Sequence, residues 1–152
     1  SAGPDPIDFG LVGDIVEIRT ELLRHLWAGG YTPVVNTLGI DPAKGEVYNI
    51  NADTVASAIA AALKVDHLFL MTGVPGVLQN KDDPSTRIPR LTAAEARQAI
   101  ASGVIVGGMI PKVEEALANI ELGIGAVHIL GATAGALQAE AQQPGSRGTV
   151  LV

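Results

Sequence analysis

Short apolar runs in this chain alternate with segments whose apolar residues recur at helical spacing. Runs rich in apolar and β-branched residues predict strands, at 9–18 (a short strand or hairpin), 31–37, 46–50 (the return strand of a hairpin), 66–71, 126–130 and 149–152. Helical spacing predicts helices, at 20–28, 51–63, 93–101 and 107–122, with an alanine-rich turn or helix at 132–141. Residues 1–8 are expected to form an irregular lead-in.

Polar residues mark the starts of three of these helices. Thr20 is expected to cap the first helix, and either Asn51 or Asp53 the second. Thr92 and Glu95 match a capping box, in which each side chain accepts a hydrogen bond from the other residue's backbone N–H.

The alternation of strands and helices determines the expected fold. It predicts an α/β protein with a mostly parallel central sheet covered by helices on both faces, a three-layer αβα sandwich. Ligands of such folds bind at the carboxyl ends of the strands, so we expect sites within 36–53, 72–80 and 130–135. The loop 72–91 is longer than a minimal connection and is a functional candidate.

Composition narrows the class of protein. The 152 residues, 47% hydrophobic and 17% charged, predict one ordered domain spanning 1–152. The absence of cysteine excludes disulfides and cysteine-ligated metals, and a net charge of −6 argues against nucleic acid as a partner. No apolar run approaches the ~20 residues of a membrane span. We therefore expect a cytoplasmic protein with no membrane partner.

The first candidate site is the run Asn49-Ile50-Asn51-Ala52-Asp53. Two amides and a carboxylate at alternate positions would point the same way from a strand and could reach one small polar ligand. A turn followed by a helix cap is the equally weighted alternative.

Two further segments carry candidate chemistry. The glycines in 72–78 would let backbone N–H groups approach a phosphate or a flat base, and an ordinary turn is the alternative interpretation. Lys112 follows Gly107-Gly108 in the first turn of a predicted helix, where a cation opposes the helix dipole. It could neutralise phosphate charge during transfer or be a solvated side chain.

The three histidines show no metal-ligand spacing. They are dispersed along the chain, at His25, His67 and His128. We interpret them as packing or surface residues.

In their order and spacing, seven runs of this sequence resemble the amino acid kinase family, and within it the carboxyl-terminal half of the enzymes that phosphorylate N-acetyl-L-glutamate. The runs are FGLVGDIV (9–16), GGYTPVV (29–35), YNINADTVA (48–56), VPGVL (74–78), LTAAEA (91–96), GGMIPKVEEAL (107–117) and GSRGTVLV (145–152). The resemblance implies phosphoryl transfer from ATP, with Mg²⁺ bound through ATP, to the side-chain carboxylate of N-acetyl-L-glutamate in arginine biosynthesis.

The resemblance also implies roles for individual residues. Lys112 would stabilise charge on the transferring phosphoryl group, and Asp53 would orient catalytic lysines by ion pairing. Asn49 and Asn51 would hold the acetylated amino acid. The nucleotide contacts would come from Gly73, Val74, Pro75, Gly76, Val77 and Leu78, and from Val104, Ile105 and Val106. No residue is implied as a metal ligand.

The sequence departs from the family pattern in two ways. The loop after the strand usually reads Thr-Asp-Val-Pro-Gly, whereas Gly73 stands at the aspartate position here; the lost carboxylate is expected to weaken nucleotide or lysine contacts. The family's amino-terminal half, with a Lys-x-Gly-Gly loop, a Gly-Gly pair and an arginine for the acyl amino acid, does not appear upstream of Phe9.

These departures shape the expected behaviour of the chain. Since it begins at Ser1 rather than Met, we expect the carboxyl-terminal, ATP-binding half of a kinase that is homo-oligomeric at full length, with little activity alone. A lysine-pathway kinase of carrier-linked aminoadipate or glutamate and a noncatalytic nucleotide-binding module are the alternatives.

Overall fold

A computed structural model describes residues 10–152 of the chain. The chain divides into two compact units, Ser1–Ala62 and Leu63–Val152, which are described one at a time. The lead-in expected at 1–8 and the first residue of the strand expected at 9–18 lie outside the described residues. None of the helices within 10–152 combines the length and apolar character that a bilayer crossing requires.

The first unit is built around a hairpin and two helices. Its elements are α1 (Glu21–Ala28), β1 (Leu38–Asp41), β2 (Glu46–Asn49) and α2 (Ala52–Leu63). β1 and β2 pair antiparallel. Their turn is closed by a hydrogen bond of 2.8 Å from the Gly45 N–H to the Asp41 carbonyl, and Gly45 has a φ of +72°. The return strand predicted at 46–50 is confirmed, but its partner is β1 at Leu38–Asp41 and not the strand predicted at 31–37.

Two strand predictions in this unit are wrong. Within the described part of 9–18, only an isolated bridge from Val12 to Asn49 forms. Residues 31–36 belong to no strand, and the Val34 and Val35 side chains are 96% and 51% exposed. Apolar, β-branched residues favour a strand only where another backbone supplies the ladder hydrogen bonds, and no described strand pairs with 31–36.

The predicted cap of α1 is also wrong. Thr20 stands at the N-cap position, but its backbone is helical, with φ −88° and ψ −9°, and its hydroxyl caps no N–H group. A capping side chain normally extends from β-region backbone, which places its oxygen over the first turn. The Thr20 hydroxyl instead accepts a hydrogen bond of 3.4 Å from Nε of Arg24.

The second unit contains a four-stranded sheet, three α-helices and a short 3-10 helix at Pro84–Thr86. The strands are β3 (His67–Thr72), β4 (Arg90–Leu91), β5 (Ala126–Gly131) and β6 (Gly148–Leu151), and the helices are α3 (Ala93–Ala101), α4 (Met109–Glu121) and α5 (Ala136–Gln142). The order across the sheet is β3-β5-β6-β4. β3 pairs parallel with β5 and β4 with β6, whereas β5 and β6 are antiparallel. The α/β fold with a mostly parallel sheet is confirmed.

The two central strands of this sheet form the core of the second unit. All four residues of β6 are buried, and only the last of β5's six residues is partly exposed. Their near-continuous apolar runs are typical of strands covered on both faces. The capping box of α3 is confirmed: the Thr92 hydroxyl accepts from the Glu95 N–H at 3.3 Å, and Glu95 Oε2 accepts from the Thr92 N–H at 2.8 Å.

A hydrogen-bonded network around two buried side chains joins β5, α5 and β6. Nδ1 of His128 lies 2.9 Å from Oε1 of Glu140, and both side chains are completely buried. The Glu140 carboxylate also accepts hydrogen bonds from the backbone N–H groups of Gly145, Arg147 and Gly148, at 2.6, 2.8 and 2.8 Å. His128 is therefore a packing residue, as interpreted from the sequence.

Hydrogen bonds determine the charge state of this network. Burial by itself raises the pKa of Glu140, but the N–H of Gly145, the His128 ring and the other two N–H groups outweigh it and lower that pKa from 4.5 to about 2. Burial, together with the neighbouring His67, lowers the pKa of His128 more than the hydrogen bond and charge of Glu140 raise it. The stable pair is thus a buried carboxylate facing a neutral imidazole.

We expect Glu140→Gln to lower the free energy of unfolding by about 3 kcal/mol at pH 7, because half of the new amide is a donor facing N–H groups. The folded-state pKa lies below the ordinary value, so this stabilisation is present above pH 4.5 and lost as the pH falls toward about 2. Urea unfolding of the unaltered chain and of Glu140→Gln, from pH 7 to pH 3, measures this: the difference between their free energies of unfolding should become smaller as the pH falls.

Glu114→Gln is the matched control, since Glu114 is an exposed glutamate on α4. It should change stability by less than about 0.5 kcal/mol. An equal effect of the two variants at pH 7 would contradict the structural role of Glu140.

Candidate functional site

The Asn49–Asp53 segment joins β2 to α2 in the first unit. Oδ1 of Asn51 accepts hydrogen bonds from the N–H groups of Asp53 at 2.9 Å and Thr54 at 3.2 Å. Asn51 is therefore the N-cap of α2, one of the two residues that the sequence offered for this role. The cap uses Oδ1 alone, so amide Nδ2 is the group that Asn51 can offer a ligand.

Asn49 and Asp53, on either side of this cap, differ in burial and in the element to which they belong. β2 ends at Asn49, so strand alternation does not extend to Asn51 and gives the two amides no common direction. The backbone of Asn49 is fixed by hydrogen bonds to the Leu11 carbonyl and from the Gly13 N–H, at 2.8 and 3.1 Å, while the residue stays exposed. Asp53 is half-buried in the first turn of α2, where the helix dipole favours a carboxylate.

A glycine-containing loop follows β3 in the second unit, and we call residues 73–78 the glycine loop. It begins with a local turn, in which the Thr72 hydroxyl accepts from the Val74 N–H at 2.9 Å. A Cβ built on Gly73 would meet no atom within 4 Å, and Gly73 is exposed. The front of the loop is therefore open, and the space beside it could hold a ligand.

The back of the glycine loop is buried. Val77 is fully buried and its N–H donates to Oγ1 of Thr149 at 2.9 Å. Gly76 has a φ of +147°, and a Cβ there would lie 2.7 Å from the same oxygen. Val74, by contrast, is 40% exposed. Of the side chains expected to contact nucleotide, that of Val77 packs in the core, whereas that of Val74, at the front of the loop, is accessible.

The carboxyl ends of β3 and β5 meet beside this loop. The Ala132 N–H donates to the Thr72 carbonyl at 3.2 Å. A Cβ on Gly131 would lie 3.3 Å from the Val74 carbonyl oxygen. Two of the three segments expected to hold ligands, 72–80 and 130–135, therefore lie together at the carboxyl edge of the sheet, as parallel strands require.

Residues 104–106 form the connection between α3 and α4. The N–H groups of Val104 and Ile105 both donate to the Ala99 carbonyl at 3.0 Å. Ile105 is 2% exposed, whereas Val104 and Val106 are 37% and 43% exposed. Ile105 thus anchors the connection in the core, and the two flanking valines offer apolar surface of the kind that a flat base could contact.

Lys112 lies just beyond this connection, as the fourth residue of α4. The N–H groups of Met109 and Ile110 donate to the carbonyls of Val106 and Gly107, so the valine segment and the start of α4 form one continuous structure. Lys112 is half-buried, and the fully buried Val113 after it fixes the helix against the core. The structure therefore brings Val104–Val106 and Lys112 together locally.

Two residues that support the glycine loop escaped the sequence analysis. Thr149 is buried within β6. Arg87 donates to two backbone carbonyls of the turn before that strand and to the carbonyl of Gly148, its first residue. A hydroxyl in an otherwise apolar strand was the available signal for Thr149. Among the described residues, no group of three or more histidine, aspartate or glutamate side chains could hold a metal ion.

Curated relatives match the chain along nearly its whole length. It is 53% identical to the acetylglutamate kinase of Sorangium cellulosum (strain So ce56), over 99% of this chain and 53% of the relative. It is 52% identical to that of Anaeromyxobacter sp. (strain K), over 99% of this chain and 56% of the relative. The chain thus spans about half the length of these relatives.

A solved structure and a family model extend the comparison. The N-acetylglutamate synthase of Neisseria gonorrhoeae, complexed with coenzyme A and L-arginine, superposes with a TM-score of 0.81 at 24% identity, over 97% of this chain and 34% of that one. At that identity the likeness shows the fold alone. The model of the amino acid kinase family matches residues 2–131, most of both units, and by this match the chain belongs to the amino acid kinase family.

Proposed function

We propose that this chain is the nucleotide-binding part of an acetylglutamate kinase, which transfers a phosphoryl group from ATP to the side-chain carboxylate of N-acetyl-L-glutamate in arginine biosynthesis. The observation that carries the proposal is identity at about half of all positions with acetylglutamate kinases, spread over 99% of the chain. Residues 1–152 would form one domain of a cytoplasmic, homo-oligomeric enzyme.

The second unit supplies the groups expected to act on the nucleotide. Phosphoryl transfer depends on positioning and on stabilising charge at the phosphoryl oxygens, more than on a nucleophilic side chain. The open front of the glycine loop offers backbone close to a ligand, the Val104 and Val106 side chains offer an apolar surface, and Lys112 offers a cation. Mg²⁺ would arrive on the ATP phosphates and neutralise part of their charge.

The first unit supplies the groups expected to act on the acyl acceptor. Asn49 and the Nδ2 group of Asn51 would hold N-acetyl-L-glutamate, whose carboxylates and amide accept and donate hydrogen bonds. Asp53 would orient catalytic lysines by ion pairing. Because the chain spans only about half the length of its relatives, we infer that on its own it binds nucleotide weakly and phosphorylates little substrate.

A noncatalytic nucleotide-binding module is the second candidate, and Gly73 favours it. The position carries no carboxylate although a side chain would fit there. The fold is the same for both candidates, so a measurement of substrate binding must separate them.

Titration of the isotope-labelled chain with N-acetyl-L-glutamate, followed by NMR, tests the proposal. With an ATP analogue and Mg²⁺ present throughout, we expect added N-acetyl-L-glutamate to shift the side-chain amide signals of Asn49 and Asn51. L-glutamate and 2-aminoadipate serve as matched ligands and should shift them less. Shifts with 2-aminoadipate alone would favour the lysine-pathway alternative, and no shift with any acid would favour the noncatalytic module.

Lys112→Ala should weaken binding of an ATP analogue about tenfold in calorimetry, the size expected for one charge-assisted contact. Lys44→Ala is the matched control, since it removes the same charge from the exposed hairpin turn of the first unit. If both variants bind as tightly as the unaltered chain, Lys112 has no role in holding phosphate.

Gly73→Asp should fold as stably as the unaltered chain, because a Cβ at this position meets no atom within 4 Å and the φ is not in the left-handed region. If the family's carboxylate supports nucleotide or lysine contacts, this variant should bind the magnesium complex of ATP several-fold more tightly. Gly73→Asn controls for side-chain size without charge. Equal affinities of all three proteins would show that the departure at Gly73 does not limit nucleotide binding.

A further inference from the structure

We propose that Thr149 is a positioning residue that sets the conformation of the glycine loop and thereby the affinity of the chain for nucleotide. The inference rests on the proposed function, in which this loop contacts ATP. Thr149 itself is fully buried and acts only through the backbone that it holds.

The Thr149 hydroxyl joins two distant points of the long connection between β3 and β4, residues 73–89. Its Oγ1 accepts from the Val77 N–H at 2.9 Å and donates to the Ile88 carbonyl at 2.6 Å. The Ile88 N–H also donates to the Val77 carbonyl at 2.8 Å. One side chain therefore satisfies a buried donor at the start of the connection and an acceptor at its end, where unpaired polar groups are costly.

The absence of a side chain at Gly76 lets the loop backbone lie directly against this hydroxyl. A Cβ on Gly76 would lie 2.7 Å from Oγ1 and 3.1 Å from the backbone nitrogen of Thr149. The φ of +147° is a conformation that other residues rarely adopt. The close approach and the unusual φ together fix where the loop leaves the core, and hence where its open front at Gly73 and Val74 lies.

The strand that carries Thr149 is itself held from two sides at its start. Glu140 accepts hydrogen bonds from two backbone N–H groups of the preceding turn and from that of Gly148, the first residue of the strand. Arg87, from the far end of the same long connection, donates to the carbonyls of Gly145, Ser146 and Gly148. Since both the strand and the far end of the connection are fixed, Thr149 provides a rigid reference for the glycine loop.

A positioning role and a purely structural role predict different results for isosteric variants. Thr149→Val keeps the shape but removes both hydrogen bonds, and Thr149→Ser restores the hydroxyl. Thr86→Val is the matched control, because the hydrogen bonds of the Thr86 hydroxyl go to Asn80 and Asp83, in the same connection but outside the glycine loop.

The experiment measures, in the whole chain, hydrogen exchange at the Val77 amide and the dissociation constant for ADP. We expect Thr149→Val to lose the protection of that amide and to bind ADP about three- to tenfold more weakly, the equivalent of one net hydrogen bond. Thr149→Ser should recover both quantities, and Thr86→Val should change neither. Should Thr149→Val not fold, Gly76→Ala perturbs the same contact from the loop side and should give the same two losses.

Three results would overturn the inference. Unchanged ADP affinity in Thr149→Val or Gly76→Ala, with the unaltered chain binding ADP, refutes the positioning role and leaves the proposed function intact. Failure of Thr149→Ser to restore affinity has the same meaning. Absence of ADP binding by the unaltered chain refutes nucleotide binding itself, and the inference with it.

Discussion

The second unit depends on a single buried carboxylate. A charge removed from water is strongly unfavourable unless hydrogen bonds replace its hydration, and Glu140 satisfies this condition with three backbone N–H groups and one imidazole. Two of those N–H groups belong to the turn between α5 and β6, and the third belongs to Gly148, the first residue of β6. The requirement to compensate one charge therefore fixes the conformation of the turn, and with it the start of the strand that carries Thr149.

The same arrangement explains how the sheet combines a rigid core with an open carboxyl edge. β5 and β6 are buried almost completely, whereas the glycine loop that follows the neighbouring strand β3 is buried only at Gly76 and Val77. Its front remains exposed beside the end of β5. A loop whose back is fixed and whose front is open loses little conformational entropy when it binds a ligand.

Local patterns predicted most of the second unit, since the hydrogen bonds that define its helix starts lie within a few residues. The capping box of α3 is an example. The strand expected at 31–37 failed because apolarity shows only what a segment could bury, and the ladder that makes a strand comes from another backbone. The cap expected at Thr20 failed because residue type does not determine backbone conformation. The hydroxyl of Thr149 in an apolar strand marks it as unusual, but its partner could not be predicted, because the contact spans 72 residues of sequence.

The buried back and the exposed front of the glycine loop place different constraints on its two glycines, Gly76 and Gly73. Its position tolerates a side chain, and no packing contact requires glycine there, whereas Gly76 is required by the contact with Thr149. A residue at position 73 can therefore change the charge presented to a ligand without disturbing the loop's attachment to the core. In the proposed function, charge at the front of the loop and conformation at its back are then separate determinants of nucleotide affinity, and a substitution at position 73 can alter the first without altering the second.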